Sequence, residues 1–206
     1  MRAVDYRRMF ITFEGVDGSG KSTQADLLAE WLRERGRIVL ATREPGGTAV
    51  GEAVRDLLLH GGELAPWTEA ALFAAARAEH VERAIRPALE RGEDVISDRY
   101  LDSSVAYQGI ARGLGEERVL ELNLVVTRRL LPDRTFLVLV DPEEARRRGG
   151  EIRDRIEREP DGFIRRTDEA FRSLAATFPD RIVTVDGSRA PIEIAEEVRE
   201  HVRPLL

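Results

Sequence analysis

Hydrophobic residues along this chain form short apolar runs that alternate with longer segments of helical periodicity. This alternation predicts repeated βαβ units, in which helices cover buried parallel strands. The apolar runs predict strands at residues 9–14, 38–42, 94–98, 135–140 and 181–185. The longer segments predict helices at residues 21–35, 48–59, 66–91, 103–111, 116–131, 168–177 and 191–202. We therefore expect an α/β fold of three layers, with a five-stranded parallel sheet flanked by helices.

The domain organisation predicted from the sequence is a single domain over residues 1–206. A chain of this length with 42% hydrophobic and 34% charged residues can bury one sizeable core. No internal repeat and no linker rich in Gly, Pro or Ser divides it. The segment from about 143 to 159 differs, because it has many charges and few apolar residues. It is either a solvated helix or a mobile lid.

Composition and charge argue against several classes of protein. The chain has no cysteine, which excludes disulfides and thiolate metal sites and makes the cytoplasm the default expectation. A net charge of −6 argues against nucleic acid as a partner. No signal peptide and no apolar stretch near the ~20 residues of a membrane span is recognisable, so we expect no membrane partner. The three histidines, His60, His80 and His201, lack metal spacing and are interpreted as structural.

A phosphate-binding loop is predicted where the first strand meets the first helix. Residues 15–22 read Gly-Val-Asp-Gly-Ser-Gly-Lys-Ser, an instance of G-x-x-x-x-G-K-[ST]. Lys21 is the single lysine in a chain with 31 arginines, so this position favours a compact point charge between phosphates, although one lysine could survive by chance. The Ser22 hydroxyl can bind Mg²⁺. The predicted ATP-binding residues are Gly15, Val16, Asp17, Gly18, Ser19, Gly20, Lys21, Ser22 and Thr23.

The strand at 94–98 ends in Asp98 and Arg99, at the edge of the sheet where parallel α/β proteins bind ligands. Asp98 could hold magnesium and Arg99 could bind a second phosphate; the alternative is a surface ion pair. A guanine-binding N-K-x-D motif is impossible because Lys21 is the single lysine. The chain is therefore not predicted to be a GTPase.

Five motifs together resemble the thymidylate kinase family, in the order in which that family carries them. They are Phe13 to Thr23, Thr42 to Thr48, Phe73 with Arg77, Asp98 to Gly109, and Asp154 to Glu157. The resemblance covers nearly the whole chain. It implies the P-loop NTPase fold and transfer of a phosphoryl group from ATP, with Mg²⁺, to dTMP.

The resemblance also implies an acceptor site for dTMP. Phe73 and Arg77 are one helical turn apart, so a ring that stacks on a pyrimidine and a guanidinium that donates to a base carbonyl would share one face. Phe73 in the core is the alternative. Ser104 and Gln108 resemble further base contacts, and Tyr107 resembles a residue that leaves no room for a 2′-hydroxyl.

The phosphate side of this acceptor site is implied in the same way. Glu44, Pro45 and Arg55 resemble residues beside the monophosphate, with Arg55 and Arg99 on the phosphate itself. Asp17, an acid within a phosphate-binding loop, is expected to meet the 3′-hydroxyl of dTMP or the metal shell.

Additional positive charge for phosphoryl transfer is expected from the segment 143–159. The variable positions of the phosphate loop carry no cation, whereas residues 146–155 contain five arginines. The resemblance favours a lid that supplies them, and the predicted catalytic residues are Lys21, Arg99, Arg148, Arg153 and Arg155. A solvated basic helix is the alternative.

The function predicted from the sequence is phosphorylation of dTMP to dTDP by ATP. The alternatives are another nucleoside or nucleotide kinase and a nucleotide-binding module without turnover. The family resemblance further implies a homodimer built from helix faces.

Overall fold

The computed structural model describes residues 8–149 and 154–206, and its centre is a five-stranded parallel sheet. The strands are β1 (Phe10–Glu14), β2 (Val39–Arg43), β3 (Asp94–Asp98), β4 (Arg134–Leu139) and β5 (Ile182–Asp186). They lie in the order β2-β3-β1-β4-β5, which puts β1 at the centre between β3 and β4. The predicted parallel sheet is confirmed, with strand ends within one residue of those expected.

Helices connect consecutive strands and cover the sheet, as parallel pairing requires. Their bounds are α1 (Lys21–Arg33), α2 (Ala49–His60), α3 (Pro66–His80), α4 (Arg86–Glu90), α5 (Leu101–Ser104), α6 (Glu116–Val126), α7 (Pro142–Arg148), α8 (Asp161–Thr177) and α9 (Pro191–Val202). Two π-helical segments, Val81–Ile85 and Val105–Ala111, continue α3 into α4 and extend α5. A short 3₁₀ turn, Arg203–Leu205, follows α9.

Several helix boundaries differ from those predicted. The helix expected at 168–177 begins at Asp161, directly after Pro160, because Phe163 and Thr167 also turn into the core. The helix expected to reach residue 131 ends at Val126, since Arg128 and Arg129 take positive φ angles of 51° and 55°. In the segment considered a solvated helix or a lid, the described residues 143–149 and 154–159 contain one helix, α7.

The sheet separates two hydrophobic layers. Alternate residues of β1 (Ile11 and Phe13) pack with α1 and α9 on one face. On the other face Phe10 packs with the larger cluster, formed by α3 to α5, the π-helical segments and α8. Glu14, at the carboxyl end of β1, is almost completely buried, so β1 delivers a carboxyl group to the edge of the sheet where the phosphate loop begins.

Within the described residues, no helix has the length and apolar character needed to cross a membrane.

Candidate functional site

The phosphate loop lies between β1 and α1, as predicted. Gly18 has a φ of 79°, and a Cβ there would lie 2.0 Å from the Ala145 carbonyl oxygen, so only glycine fits between the loop and α7. Gly20 precedes α1 with a φ of 99° and makes no side-chain cap. The first turn of α1 therefore presents uncapped N–H groups toward the loop, which is the arrangement that binds phosphate.

Lys21, Asp17 and Arg99 form a charge cluster at this loop. Lys21 Nζ donates to Asp17 Oδ1 at 3.0 Å, and Arg99 Nη2 donates to the same oxygen at 2.6 Å. Burial alone would raise the pKa of Asp17, but the charges of Arg99 and Lys21 hold it well below its usual range. A carboxylate thus keeps two cations close together beside the loop.

The predicted metal ligands lie side by side. The Ser22 hydroxyl donates to Asp98 Oδ2, while Asp98 Oδ1 is buried and has no hydrogen-bond partner in the described part of the chain. No cluster of three or more His, Cys, Asp or Glu side chains suited to a metal occurs within the described ranges. One carboxylate and one hydroxyl fit a Mg²⁺ ion that takes its other ligands from water and nucleotide phosphates.

A cavity opens beside the charge cluster, with about 540 Å³ of space when the open solvent at its mouth is included. All ten residues predicted to bind dTMP line it: Asp17, Glu44, Pro45, Arg55, Phe73, Arg77, Arg99, Ser104, Tyr107 and Gln108. They come from the phosphate loop, the loop after β2, α2, α3, the loop after β3, α5 and the π-helical segment after it. Asp17 and Arg99 belong to both the cavity and the charge cluster, so the two sites are continuous.

Arg77 is held at the inner part of this cavity by a buried network. Its side chain is 1% exposed and its Nε donates to Glu44 Oε2 at 2.7 Å. Its Nη1 donates to Ser104 Oγ at 2.9 Å and also to Asn123 Oδ1, and its Nη2 donates to the Tyr100 carbonyl at 3.0 Å. A guanidinium with this many partners has one orientation, so its remaining N–H is fixed in direction.

His80, which the sequence predicted to be structural, belongs to the same buried network and has a defined role in it. Its Nδ1 lies 3.0 Å from Glu44 Oε1, and its Nε2 lies 2.8 Å from Thr42 Oγ1. A Cβ at Gly47 would lie 2.5 Å from the same Nε2. The imidazole thus sets the position of Glu44, which in turn holds Arg77.

Arg99 is positioned by the backbone as well as by side chains. It has a φ of 72°, a strained conformation for a residue with a Cβ. Its Nη1 donates to Ser103 Oγ at 2.9 Å, and its guanidinium lies 5.4 Å from the centre of the Tyr107 ring. Arg55, across the cavity, donates to the Pro45 carbonyl at 2.9 Å.

Glu14 supports this strained turn and was not singled out from the sequence. Its Oε1 accepts from the Tyr100 and Ser103 N–H groups at 2.8 and 3.2 Å, and its Oε2 accepts from Ser103 Oγ at 2.5 Å. Burial, and then the negative charge of Asp102, raise the pKa of Glu14 to about 8. The Glu14 carboxyl group that holds the turn therefore binds a proton more readily than a free glutamate does.

Three arginines of the lid segment are predicted to be catalytic, and the structure describes two of them, which lie in different places. Arg148 lies beside the phosphate loop, where it donates to Glu144 Oε1 at 3.1 Å and to the Gly187 carbonyl at 2.8 Å. Arg155 is not brought to the loop, because it donates to Leu58 O at 2.8 Å and to the buried carboxylate of Glu69 at 2.7 Å. Arg153 lies outside the described residues. Of the two that the structure describes, Arg148 is the one placed beside the expected position of the phosphates.

Comparison with known proteins connects this geometry to a family. The family model for thymidylate kinase matches residues 13–198. A thymidylate kinase of Leifsonia xyli is 53% identical over 195 residues, covering 93% of this chain and 92% of its own. One from Bifidobacterium longum is 48% identical over 202 residues, covering 96% and 98%.

The chain belongs to the thymidylate kinase family.

A solved structure agrees with this membership. The thymidylate kinase of Ehrlichia chaffeensis superposes with a TM-score of 0.78 at 36% identity, covering 95% of this chain and 98% of that one. The predicted P-loop NTPase fold is thereby confirmed, and so is the resemblance to thymidylate kinases.

Two buried polar residues behind the thymidylate kinase cavity escaped the sequence reasoning. Asn123 on α6 is fully buried and accepts from Arg77, while its Nδ2 donates to the Val119 carbonyl at 2.7 Å. Glu69 on α3 is fully buried and accepts from three side chains. A signal was present for Glu69: a lone acid on the Ala-rich, otherwise apolar side of a helix needs a partner when buried.

Proposed function

We propose that this chain transfers the γ-phosphoryl group of ATP to the 5′-phosphate of dTMP, forming ADP and dTDP. The observation that carries the proposal is the continuity between the phosphate loop and the cavity of the ten acceptor residues, joined at Asp17 and Arg99. Membership in the thymidylate kinase family supports dTMP as the acceptor. ATP is a cytoplasmic metabolite, so we propose that the reaction takes place there.

The donor nucleotide is bound at the phosphate loop in this proposal. The uncapped N–H groups of α1 and the Lys21 ammonium receive the β- and γ-phosphates. Arriving phosphate oxygens compete with Asp17 for Lys21, which leaves Asp17 paired with Arg99. Ser22 and Asp98 would hold Mg²⁺, which supplies charge neutralisation between the phosphates when it is bound.

The acceptor is oriented from both ends of the cavity. Arg99 and Arg55 bind its monophosphate, and Phe73 and Arg77 bind its base, so an acceptor phosphate oxygen faces the γ-phosphorus. No covalent intermediate with the protein is needed, because the protein contributes position and charge. Arg148, beside the loop, supplies further positive charge as the lid segment 143–159 closes and excludes water.

Sugar selection is assigned to Tyr107. Its ring is 5% exposed and held against Phe163 and Phe171, with centroids at 6.1 and 6.0 Å. Arg99 lies on another side of the ring. A ring packed by these neighbours cannot move aside for a 2′-hydroxyl, which would be buried without a partner.

We also propose a homodimer through the outer faces of α2, α3 and α6, which pack side by side. Val50, Ala53 and Leu57 form an exposed apolar stripe on α2, and Ala71 and Ala75 continue it on α3. A second copy of this surface can cover such a face isologously. Light scattering at micromolar concentration should give twice the 23.2 kDa chain mass, and Leu57→Glu should give the chain mass. A wild-type particle of 23.2 kDa would contradict the dimer.

The proposed reaction is tested by ADP formation in a coupled assay. Purified protein, ATP and Mg²⁺ are combined in turn with dTMP, dUMP, dCMP, dGMP and thymidine. We expect sustained ADP formation with dTMP and little with thymidine, which lacks the phosphate that Arg55 and Arg99 bind. Preference for thymidine would identify a nucleoside kinase, and ADP formation with no acceptor dependence would contradict nucleotide phosphorylation.

A further inference from the structure

Glu69 lies behind the acceptor cavity as a buried carboxylate bound by three side chains. Gln108 Nε2 donates to its Oε1 at 2.9 Å, Arg112 Nη2 to its Oε2 at 3.0 Å, and Arg155 Nη1 to its Oε2 at 2.7 Å. Burial acts to raise the pKa of Glu69, but these hydrogen bonds outweigh burial and lower it. Glu69 is therefore ionised at neutral pH and offers acceptor atoms alone.

The carboxylate determines which end of the Gln108 amide can face it. An amide oxygen beside Glu69 would place two acceptors in contact, so the NH₂ group must point there. Gln108 lines the acceptor cavity, and within the described ranges no group donates to its Oε1. The amide consequently presents an acceptor oxygen, and not a donor, to the cavity.

Ser104 and Arg77, the two polar groups that line the cavity with Gln108, present hydrogen-bond donors. Ser104 Oγ accepts from Arg77, so its own O–H is left to donate. Arg77 has five N–H groups, and its Nε, Nη1 and Nη2 contacts use four of them, which leaves one. The cavity thus offers two donors and one acceptor. Thymine and uracil present the complement, since their imide edge has two carbonyl oxygens and one N3–H.

Resting on the proposed function, we propose that Glu69 is a specificity-determining positioning residue: it fixes the amide of Gln108 so that the cavity accepts a base with an N3–H group and rejects cytosine. Cytosine has an unprotonated N3, which would face the Gln108 oxygen as a second acceptor. If Gln108 could turn its amide over, its NH₂ group would donate to that N3. Glu69 prevents this turn, because the turned amide would face a carboxylate with its oxygen.

Glu69→Gln tests the inference, since a neutral amide can both donate and accept and so permits either orientation of Gln108. The readout is the ratio of kcat/KM for dTMP to that for dCMP, in which a general loss of activity cancels. We expect the ratio to fall about tenfold, as one mispaired buried hydrogen bond is relieved for dCMP. Glu159→Gln is the matched control, because Glu159 also pairs with Arg112 but does not touch Gln108. Its ratio should stay within about twofold of wild type.

A second variant keeps the inference testable if Glu69→Gln does not fold. Gln108→Met removes the amide and should lower the ratio to a similar extent, and adding Glu69→Gln to it should change the ratio no further. In the wild-type protein, the side-chain NH₂ protons of Gln108 should exchange slowly with solvent by NMR. An unchanged ratio in folded Glu69→Gln, an unchanged ratio in Gln108→Met, or rapid exchange of those protons would each overturn the role of Glu69.

Failure of this inference is distinct from failure of the proposed function. If wild type prefers dTMP over dCMP and Glu69→Gln preserves that preference, the phosphotransferase stands and the role of Glu69 falls. If wild type forms no ADP with dTMP, the proposed function itself is wrong.

Discussion

The two ends of the site are built in different ways. At the base end, buried side chains from the loop after β2, α5 and α6, together with the Tyr100 carbonyl, hold Arg77 with four hydrogen bonds. At the proposed donor end, the phosphate loop offers backbone N–H groups, one lysine and exposed residues such as Ser22. This difference in construction suits the two ends to different tasks. The base end has a fixed polarity suited to selecting a substrate, whereas the donor end, in the proposed function, would supply charge to phosphates common to all nucleotides.

The contrast predicts that the base end also carries much of the stability of the fold. Arg77→Met should lower the free energy of unfolding by about 3 to 5 kcal/mol, because Glu44 would remain buried without its main cation. The kcat/KM for dTMP should fall as well. Urea denaturation measures the first and the coupled assay the second. A variant with wild-type stability would show that the buried network is not a structural element.

At the donor end, a substitution should lower turnover strongly and change the stability of the fold little. Lys21→Ala should lower turnover about 100- to 1000-fold, because it removes a charge that acts on the transferring phosphoryl group. Its free energy of unfolding should change by less than about 1 kcal/mol, since no core cavity is created. Arg33→Ala, which removes an exposed cation from the other end of the same helix, is the control and should keep wild-type turnover. Wild-type turnover in Lys21→Ala would exclude the phosphate-loop assignment.

Tyr107 lies between the two ends and tests sugar selection. Tyr107→Ala should reduce the preference for dTMP over its ribonucleotide form about five- to hundredfold, by opening space where a buried 2′-hydroxyl would cost about 1 to 3 kcal/mol. Phe171→Ala removes packing behind the ring without lining the cavity, so it should lower the ratio as well, but by less than Tyr107→Ala. An equal ratio in wild type and Tyr107→Ala would remove Tyr107 from the sugar site.

Glu14 gives the smallest change per step, because its effect is spread over several pH units as a pH dependence of stability. Its pKa is raised from 4.5 to about 8, so between these values the folded protein holds a proton that the unfolded chain has released. The stability of wild type should therefore decrease as pH rises from about 5 to 8, by at most about 1.4 kcal/mol per pH unit from this group. Glu14→Gln, which cannot titrate, should gain stability relative to wild type over the same range. Thermal unfolding across pH measures this, with the exposed Glu117→Gln as control; parallel curves would contradict the raised pKa.

The sheet and the cavity are predictable from the sequence for physical reasons. Fully buried parallel strands are continuous apolar runs, and residues such as Ser104 and Gln108 share a face because they lie one helical turn apart. The resemblance to thymidylate kinases then assigned the ten residues that the cavity brings together. Apolar runs, helical spacing and short motifs each lie within a short stretch of the sequence, so they can be recognised without the structure.

The partners behind the cavity could not be predicted in this way. Glu69 meets Gln108 and Arg155, which are 39 and 86 residues away, and Asn123 meets Arg77 across 46 residues. No local periodicity records such pairs. Arg155 was expected beside the phosphates because its segment is basic, but the buried carboxylate of Glu69 provides a stronger partner.

The most direct test of the central claim compares kcat/KM of the wild-type protein for dTMP, dUMP and dCMP at fixed ATP and Mg²⁺. If the buried network selects the base and the phosphate loop moves the phosphoryl group, dTMP should exceed dCMP by at least about tenfold, and dUMP, which has the same imide edge, should lie between them. Equal kcat/KM values for dTMP and dCMP would contradict this account.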